Sequence, residues 1–253
     1  MSTAQTLDKV NERFYARFAD AFDQSRHHGW HGWHDLLPLL PSTPLTILDL
    51  GCGNGRLAEF MDRRVHAESP VELYVGKDRC TALLEHAAHK KLSFPTRFET
   101  WTWHGDSETA AIKLPENERY DWVTLFGVMH HVFGYSARLE LLRKASQMLK
   151  PGGVLSVSFW DFGASEKFLK KTIPWTEKAD EWALDPSTLE AGDYLLGWGG
   201  HRDTPRYCHW VSPQEQSQLE DDMTRVGPRH LSTAIPTGKP DDLNRYCSWR
   251  LSP

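Results

Sequence analysis

LTILDLGCGNG, residues 45–55, runs six strand-type residues into three glycines spaced two apart. A helical pattern begins at Arg56, so the segment reads strand, turn, helix, the context in which a glycine loop brings backbone N–H groups close to a nucleotide-like ligand. A glycine turn that merely joins strand to helix is the plainer alternative. Outward from the loop the alternation continues. VELYVGKD (71–78) precedes a helical pattern over Ala82 to His89, TRFETWTW (96–103) follows, DWVTLF (121–126) precedes a helix from Ala137 to Leu149, and GGVLSVSFW (152–160) closes the series. Five short strands with helical crossovers predict a parallel, doubly wound α/β sheet. RVGPRHLSTAI (225–235) and NRYCSWRL (244–251) add two strands joined by a turn containing Pro and Asp.

The flanks read differently. Val10, Phe14, Phe18, Ala21 and Phe22 fall at helical spacing within residues 7–22, and Trp33, Leu36, Leu37 and Leu40 predict a second helix stopped by Pro41. Together they form a helical cap over residues 1–44. Residues 161–205 break the strand–helix rhythm with scattered Trp and Gly and no clear strand, and are expected to be an insertion or lid after strand five. The expected unit is one domain, residues 1–253.

Hydrophobic residues make up 40% of the 253 and charged residues 25%, which is globular and argues against both disorder and a membrane protein. No run approaches the roughly 18 apolar residues of a membrane span, and MSTAQTLDKVNERF has neither signal-peptide nor transit character, so a cytoplasmic protein is expected. Cys52, Cys80, Cys208 and Cys247 form no CxxC pair and are expected to be free thiols. A net charge of -5 offers no global attraction to a polyanion, so a nucleic-acid partner would depend on local basic patches. Thirteen His and eleven Trp are the compositional oddity. Such aromatics cap a core more often than they line a site, yet they are also what stacking pockets are made of. The His of HHGWHGWH keep no ligand-like spacing with Cys or carboxylate, so no metal is expected.

The glycine loop DLGCGNG, preceded by Asp49, resembles that of class I S-adenosylmethionine (SAM) methyltransferases rather than the dinucleotide pattern GxGxxG. The resemblance implies a Rossmann-like, seven-stranded sheet, mostly parallel with an antiparallel last strand, and SAM as cofactor. In that reading Gly51, Cys52, Gly53 and Asn54 form the loop against the methionine moiety, and Asp49 organises it and faces the ligand's ammonium. Asp78, at the end of LYVGKD and beside Arg79, is placed to accept both ribose hydroxyls, where a simple helix cap is the alternative. Asp106 in WHGDSE corresponds to the acid that holds the adenine amino group, and Val128 to a residue lining the cofactor. LKPGGVLSVSF (149–159) resembles the turn into the fifth strand and does no chemistry.

Three further segments narrow the resemblance. FDQSRHHGW (22–30), VMHHV (128–132) and RYCHWV (206–211) each resemble the tRNA wobble-uridine carboxymethyl methyltransferases, including the methyltransferase part of the AlkB-like tRNA enzyme of animals. Relatives of that kind esterify the carboxylate of 5-carboxymethyluridine, and the eukaryotic ones work with a small zinc-binding activator subunit. The resemblance implies an acceptor site in which Arg26, Arg206 and His209 clamp the carboxylate and Trp160 and Tyr207 supply stacking faces. His130 and His131 stand where strand four opens onto the substrate pocket, and at least one is expected to face the transferred methyl group, with a purely structural role as the alternative for the other. Because the acceptor is already ionised, methyl ester formation needs alignment and no general base.

A tRNA-modifying enzyme is thus one expectation. A small-molecule or natural-product methyltransferase with a Trp-rich lid, favoured by the acidic balance, is the second, and a catalytically silent SAM-fold partner subunit is a third, opposed by the intact loop. A collar of Arg26, Lys167, Lys170, Lys171, Arg202 and Arg206 around the pocket mouth would favour tRNA.

Overall fold

The computed structural model describes residues 1–26, 28–42, 44–63, 70–102, 118–234 and 243–252. Ten strands are described: β1 Leu45–Leu50, β2 Val71–Asp78, β3 Thr96–Thr100, β4 Tyr120–Leu125, β5 Leu149–Trp160, β6 Thr172–Ile173, β7 Asp193–Trp198, β8 His201–His209, β9 Arg229–Ala234 and β10 Asn244–Arg250. Seven build one sheet in the order β3-β2-β1-β4-β5-β10-β9. β10 runs antiparallel to both neighbours, while β1 through β5 pair in parallel. This is the expected seven-stranded, Rossmann-like sheet with its antiparallel last strand.

Helices α1 Thr3–Gln24, α2 Gly32–Leu36, α3 Arg56–Asp62, α4 Thr81–Ala88, α5 Tyr135–Ser146, α6 Glu166–Leu169, α7 Ala179–Trp182 and α8 Pro213–Thr224 complete the elements used below. Both sheet faces are buried, because successive residues of the central strands point opposite ways. Ile47 and Trp122 pack with Trp33, Leu57, Phe60 and Tyr246 on one face. Leu48 and Val123 pack with Leu141, Leu142 and Leu219 on the other. Each such fully buried aliphatic side chain contributes roughly 1.5–3 kcal/mol of transfer free energy, enough in number to offset the ordering of the chain.

Helix α1 begins four residues before the expected position. Ser2 and Gln5 form a reciprocal capping box, in which Gln5 N–H donates to Ser2 Oγ at 3.3 Å and Ser2 N–H donates to Gln5 Oε1 at 3.0 Å. The second helix is shorter than expected. α2 ends at Leu36 and tightens into a 3₁₀ turn over Leu37–Leu39, because Pro38 has no N–H to continue the α-helical ladder.

The insertion is the main departure from expectation. Residues 172–209 contain a three-stranded antiparallel sheet, β6-β7-β8, where no clear strand was expected. Gly199 and Gly200, both at positive φ, make a two-residue hairpin between Trp198 and His201. Strand β8 carries on through Arg206–His209, so this segment belongs to the inserted sheet rather than following it. Among the described residues, no helix is long and apolar enough to cross a membrane. All four cysteines are buried, and none is in a disulfide.

A buried ionic network ties the inserted sheet to the main domain. Arg138, on α5, donates to Glu215 on α8 at 2.8 Å, to Glu190 before β7 at 2.6 Å and to the Val132 carbonyl at 2.9 Å. His209 completes it, with Nδ1 2.7 Å from Asp193 and Nε2 2.8 Å from Glu215. Burial disfavours the charged imidazole, and the bonds to Asp193 and Glu215 outweigh it, so its pKa lies above the usual histidine value. A histidine raised in this way contributes stability that is complete below the unfolded pKa of about 6.5 and is lost as pH rises through the folded pKa. Arg138→Met should lower the unfolding free energy by about 3 kcal/mol, measured by urea denaturation at pH 7, because two acids lose their buried partner. The parent should therefore lose stability as pH rises above about 6.5, and in His209→Gln that decline should be absent.

Candidate functional site

The end of β1 is built around Asp49. Its carboxylate, 3% exposed, accepts the Tyr74 hydroxyl on Oδ2 and the Thr124 hydroxyl on Oδ1 at 2.6 Å. Burial pushes its pKa up to about 6 against the pull of these two bonds. The chain then turns through Gly51 at φ +80°, where the N–H groups of Gly51 and Cys52 donate to the Lys77 carbonyl at 2.7 and 3.0 Å. A side chain on Gly51 would collide with Val128. Gly53, at φ +54°, faces open space, with nothing within 4 Å of where its Cβ would lie.

Asp78, at the end of β2, reaches back to this loop. Its carboxylate accepts Gly53 N–H at 2.9 Å and Cys80 N–H at 2.8 Å. Burial raises its pKa, and those backbone bonds oppose the rise. The acid thus fastens the glycine loop to the entry of α4, combining a capping contact with a position on the cavity wall.

These residues line a cavity of about 420 Å³ at the carboxyl ends of β1, β2 and β4, roofed by α1, the cap and the insertion. Of the residues expected at the site, the structure brings together on its walls Arg26, Asp49, Gly51, Cys52, Gly53, Asn54, Asp78, Arg79, Val128, His130, His131, Trp160 and Arg206. Two of them also hold α1 in place: Asn54 donates to Asp23 at 2.7 Å, and Arg79 pairs with Asp8 and, at 3.8 Å, with Glu12. Asp106 lies outside the described residues.

Tyr207 and His209 are corrections. Side chains alternate along a strand, so where Arg206 reaches the cavity, Tyr207 and His209 emerge on the opposite face of β8. There the Tyr207 hydroxyl donates to Asp193 Oδ1 at 2.8 Å, and His209 Nδ1 bonds the same oxygen at 2.7 Å. Neither side chain lines the cavity. The basic collar is partial as well: Lys167 and Lys171 line the cavity mouth, whereas Lys170 sits 3.7 Å from Glu166 and Arg202 lies 3.3 Å from Glu177.

Arg206 is 5% exposed, with its guanidinium 5.0 Å from the Trp160 ring centre and 5.3 Å from that of Phe14. Its Nε has no hydrogen-bond partner among the described residues. Burial, and next the Arg206 charge, lower the pKa of Arg26, which stacks 4.9 Å from Phe22. His130 packs 5.2 Å from Trp160, and its Nδ1 is unpartnered among the described residues. His131 Nε2 pairs with the Tyr15 hydroxyl at 2.8 Å, and its Nδ1 lies between the Asn11 amide at 3.1 Å and the Tyr207 carbonyl at 3.0 Å. Burial and neighbouring positive charge hold both imidazoles neutral, with the His131 pKa down to about 3.

Sequence reasoning passed over Arg56, Tyr15, Trp101 and Trp198, all on the cavity wall. Arg56 stood in view as the first residue after the glycine loop. Tyr15 lies on the buried side of α1, where its register with Asn11 (i, i+4) was the available signal.

The methyltransferase domain family model matches residues 12–227. The chain belongs to this family and is a SAM-dependent methyltransferase. A protein of Encephalitozoon cuniculi that carries a methyltransferase name is 28% identical over 203 residues, covering 78% of this chain and 80% of its own. The tRNA (carboxymethyluridine(34)-5-O)-methyltransferase of Saccharomyces cerevisiae is 26% identical over 228 residues, 88% of this chain and 65% of that protein. The mitochondrial ubiquinone biosynthesis O-methyltransferase of Candida albicans is 36% identical over 114 residues, 45% of this chain and 32% of that one. The fold matches a SAM-dependent methyltransferase from Mesorhizobium loti at a TM-score of 0.60 and 18% identity, covering 88% and 98% of the two chains. It also matches the chain covered at 98% in a Haloferax volcanii complex of a methyltransferase with a methyltransferase activator, at 0.57, 15% identity and 96% of this chain.

SAM is the cofactor, and the site suits it: the side-chain-free face of Gly53 opens on the cavity between two acids. When bound, it supplies an electrophilic methyl group on sulfonium. Asp78→Ala removes two bonds from a carboxylate to the loop and its neighbour, each worth roughly 1.5–3 kcal/mol. The SAM dissociation constant should rise at least about thirtyfold by calorimetry, and retained affinity would show that the loop does not depend on this acid.

Proposed function

We propose that this enzyme transfers the methyl group of SAM to a carboxylate, forming the methyl ester of a carboxymethyl-type wobble uridine in tRNA. The observation that carries the reading is the pair Arg26 and Arg206. Both guanidinium groups line the cavity, repel one another, and have no carboxylate partner among the described residues. A planar carboxylate between such groups relieves the repulsion and can take two parallel hydrogen bonds from either one. Trp160, against which Arg206 stacks, offers a face for a base. Asp78 serves the ribose and Asp49 the ammonium of the cofactor. Lys167 and Lys171 at the mouth give a local basic patch that the net charge of -5 conceals. Similarity to the yeast wobble-uridine enzyme supports the acceptor, and the fold shared with an activator-bound methyltransferase supports a small activator subunit as partner.

A second reading has its own support. The similarity to ubiquinone O-methyltransferases suggests a small hydroxylated acceptor, and neutral His130, with Nδ1 unpartnered among the described residues, could remove its proton. The two readings differ in pH dependence. A carboxylate has no proton to lose, so single-turnover transfer should be flat between about pH 6.5 and 9 and survive His130→Ala. A hydroxyl acceptor would make transfer depend on His130, which is already neutral across this range, so His130→Ala would abolish transfer at every pH, and any rising limb in the parent would belong to the acceptor's own hydroxyl.

The direct test incubates the enzyme with SAM and an anticodon stem-loop bearing 5-carboxymethyluridine, with and without a candidate activator, followed by mass spectrometry of the nucleosides. Methyl ester formation is expected. Transfer instead to a catechol and not to the stem-loop would favour the second reading. Arg206→Ala should cut transfer at least tenfold and leave the SAM dissociation constant within threefold, since a lost charged contact costs on the order of 1.5–3 kcal/mol. Parallel loss of SAM affinity would remove Arg206 from the acceptor site.

A further inference from the structure

Three groups of side chains able to ligate a metal converge among the described residues. Two of them are committed to other contacts. In the group Glu190, Asp193 and His209, Glu190 pairs with Arg138, and both nitrogens of His209 are taken by Asp193 and Glu215. In the group His130, His131 and Cys208, both nitrogens of His131 are engaged, and the nearby charge of Arg206 opposes a cation. The third group, Glu220, His230 and Cys247, lies away from the cavity, where α8 covers β9 and β10. Cys247 belongs to the face of β10 that packs under Leu219 and Met223 of α8. A register shift between Ser248 and Trp249 re-aims β9, so that His230 pairs with Trp249 and shares that face, while Leu231 packs on the other.

His230 Nε2 stands 3.3 Å from Cys247 Sγ and 3.8 Å from Glu220 Oε2, and the three ligand atoms lie within 4.8 Å of one another. Zinc bonds of about 2.0–2.3 Å at the tetrahedral angle place neighbouring ligand atoms roughly 3.4–3.6 Å apart, so the two measured pairs already have about the required separation. Gln216, one turn before Glu220 on α8, donates from Nε2 to Glu220 Oε1 at 2.7 Å, which leaves Oε2 turned toward His230. Arg245, whose charge Glu220 supports, has acceptors of its own in Asp161 at 3.7 Å and the Val211 carbonyl. One thiolate and one carboxylate neutralise a divalent ion, and a sulfur, an imidazole and a carboxylate form a set that suits zinc better than magnesium or calcium. Cys247 is fully buried, whereas the side chains of His230 and Glu220 are 32% and 18% exposed, so an ion can enter from solvent and take a water as fourth ligand. The geometry points to a zinc site on Cys247, His230 and Glu220 that pins the outer strand β9 to β10 and α8. As zinc binds, the Zn–S bond forms, the S–H bond of Cys247 breaks, and its proton leaves to solvent. The site depends on neither the cofactor nor the acceptor.

The test uses the full chain, stripped of metal with a chelator, kept reduced, and titrated with zinc against a chromogenic competitor or with cobalt(II) alone. One equivalent of zinc is expected, and cobalt(II) should give thiolate-to-metal absorption in the near ultraviolet. Cys247→Ser should abolish that absorption and weaken zinc binding at least about a hundredfold, the upper end of what losing even an outer-shell partner costs. Gln216→Ala, which removes such an outer-shell partner, should weaken it at least about tenfold. Glu220→Gln, on a partly exposed side chain, should also weaken zinc at least about tenfold and tests the site without touching the buried core. Cys208→Ser should leave zinc binding and the cobalt(II) absorption as in the parent. Zinc should raise the thermal midpoint of the parent by mass action and leave that of Cys247→Ser in place. Calorimetric titration with SAM shows that each variant is folded. Absence of the thiolate absorption in the parent, or unchanged zinc affinity in Glu220→Gln, would overturn the site. Absorption that disappears with Cys208 and persists without Cys247 would overturn it equally.

Discussion

The carboxamide of Asn11, 2% exposed, joins three parts of the molecule that are far apart in the chain. Its Oδ1 accepts the N–H of Tyr207 in the inserted sheet at 2.8 Å, and its Nδ2 lies 3.1 Å from Nδ1 of His131 at the exit of β4. Four residues on, one turn along the same helix, the Tyr15 hydroxyl bonds the other nitrogen of that imidazole at 2.8 Å. An unpaired amide or imidazole at this depth would cost on the order of 1–3 kcal/mol, so the three parts keep their relative placement or give up that much at each broken contact. The cavity exists because they keep it. Its floor is the main sheet, and its roof is α1 together with β8.

Electrostatics inside that enclosure follow from the same arrangement. Burial weakens the charged form of every ionisable group, and the molecule answers in different ways. The histidines are neutral. Asp78 is supported by two backbone N–H groups, and Asp49 by two hydroxyls that leave its pKa at about 6. Arg26, Arg56 and Arg206 lean on aromatic rings, which orient a guanidinium without pairing it to a carboxylate. On the far face of β8 the same types of residue are used in the opposite manner: Arg138, Glu190, Glu215, Asp193 and His209 satisfy each other and fasten the insertion down. A saturated network builds scaffold, and an unsaturated one is what a charged ligand completes.

The strand–glycine–helix run at 45–56, the alternation of apolar runs with helical patterns, and the acids at the ends of β1 and β2 were legible in the chain itself. Each is a local signal: strand period, turn chemistry and spacing act over a few residues, and the parallel sheet follows from short crossovers. The inserted sheet was less legible because glycine and proline interrupt its strands, although the Gly199–Gly200 hairpin was a local sign of it. RYCHWV suggested a set of site residues, but a strand shows alternate residues to opposite sides. Arg206 and His209 therefore end up in different chemistry, one in the cavity and one in the ionic clamp. Convergence belonged to the tertiary structure alone. Tyr15 meeting His131 across 116 positions, or Arg26 and Arg206 facing one cavity, depends on how α1 docks on β8. That docking is decided by the summed burial and hydrogen bonding of residues distant in the chain, which no local pattern encodes.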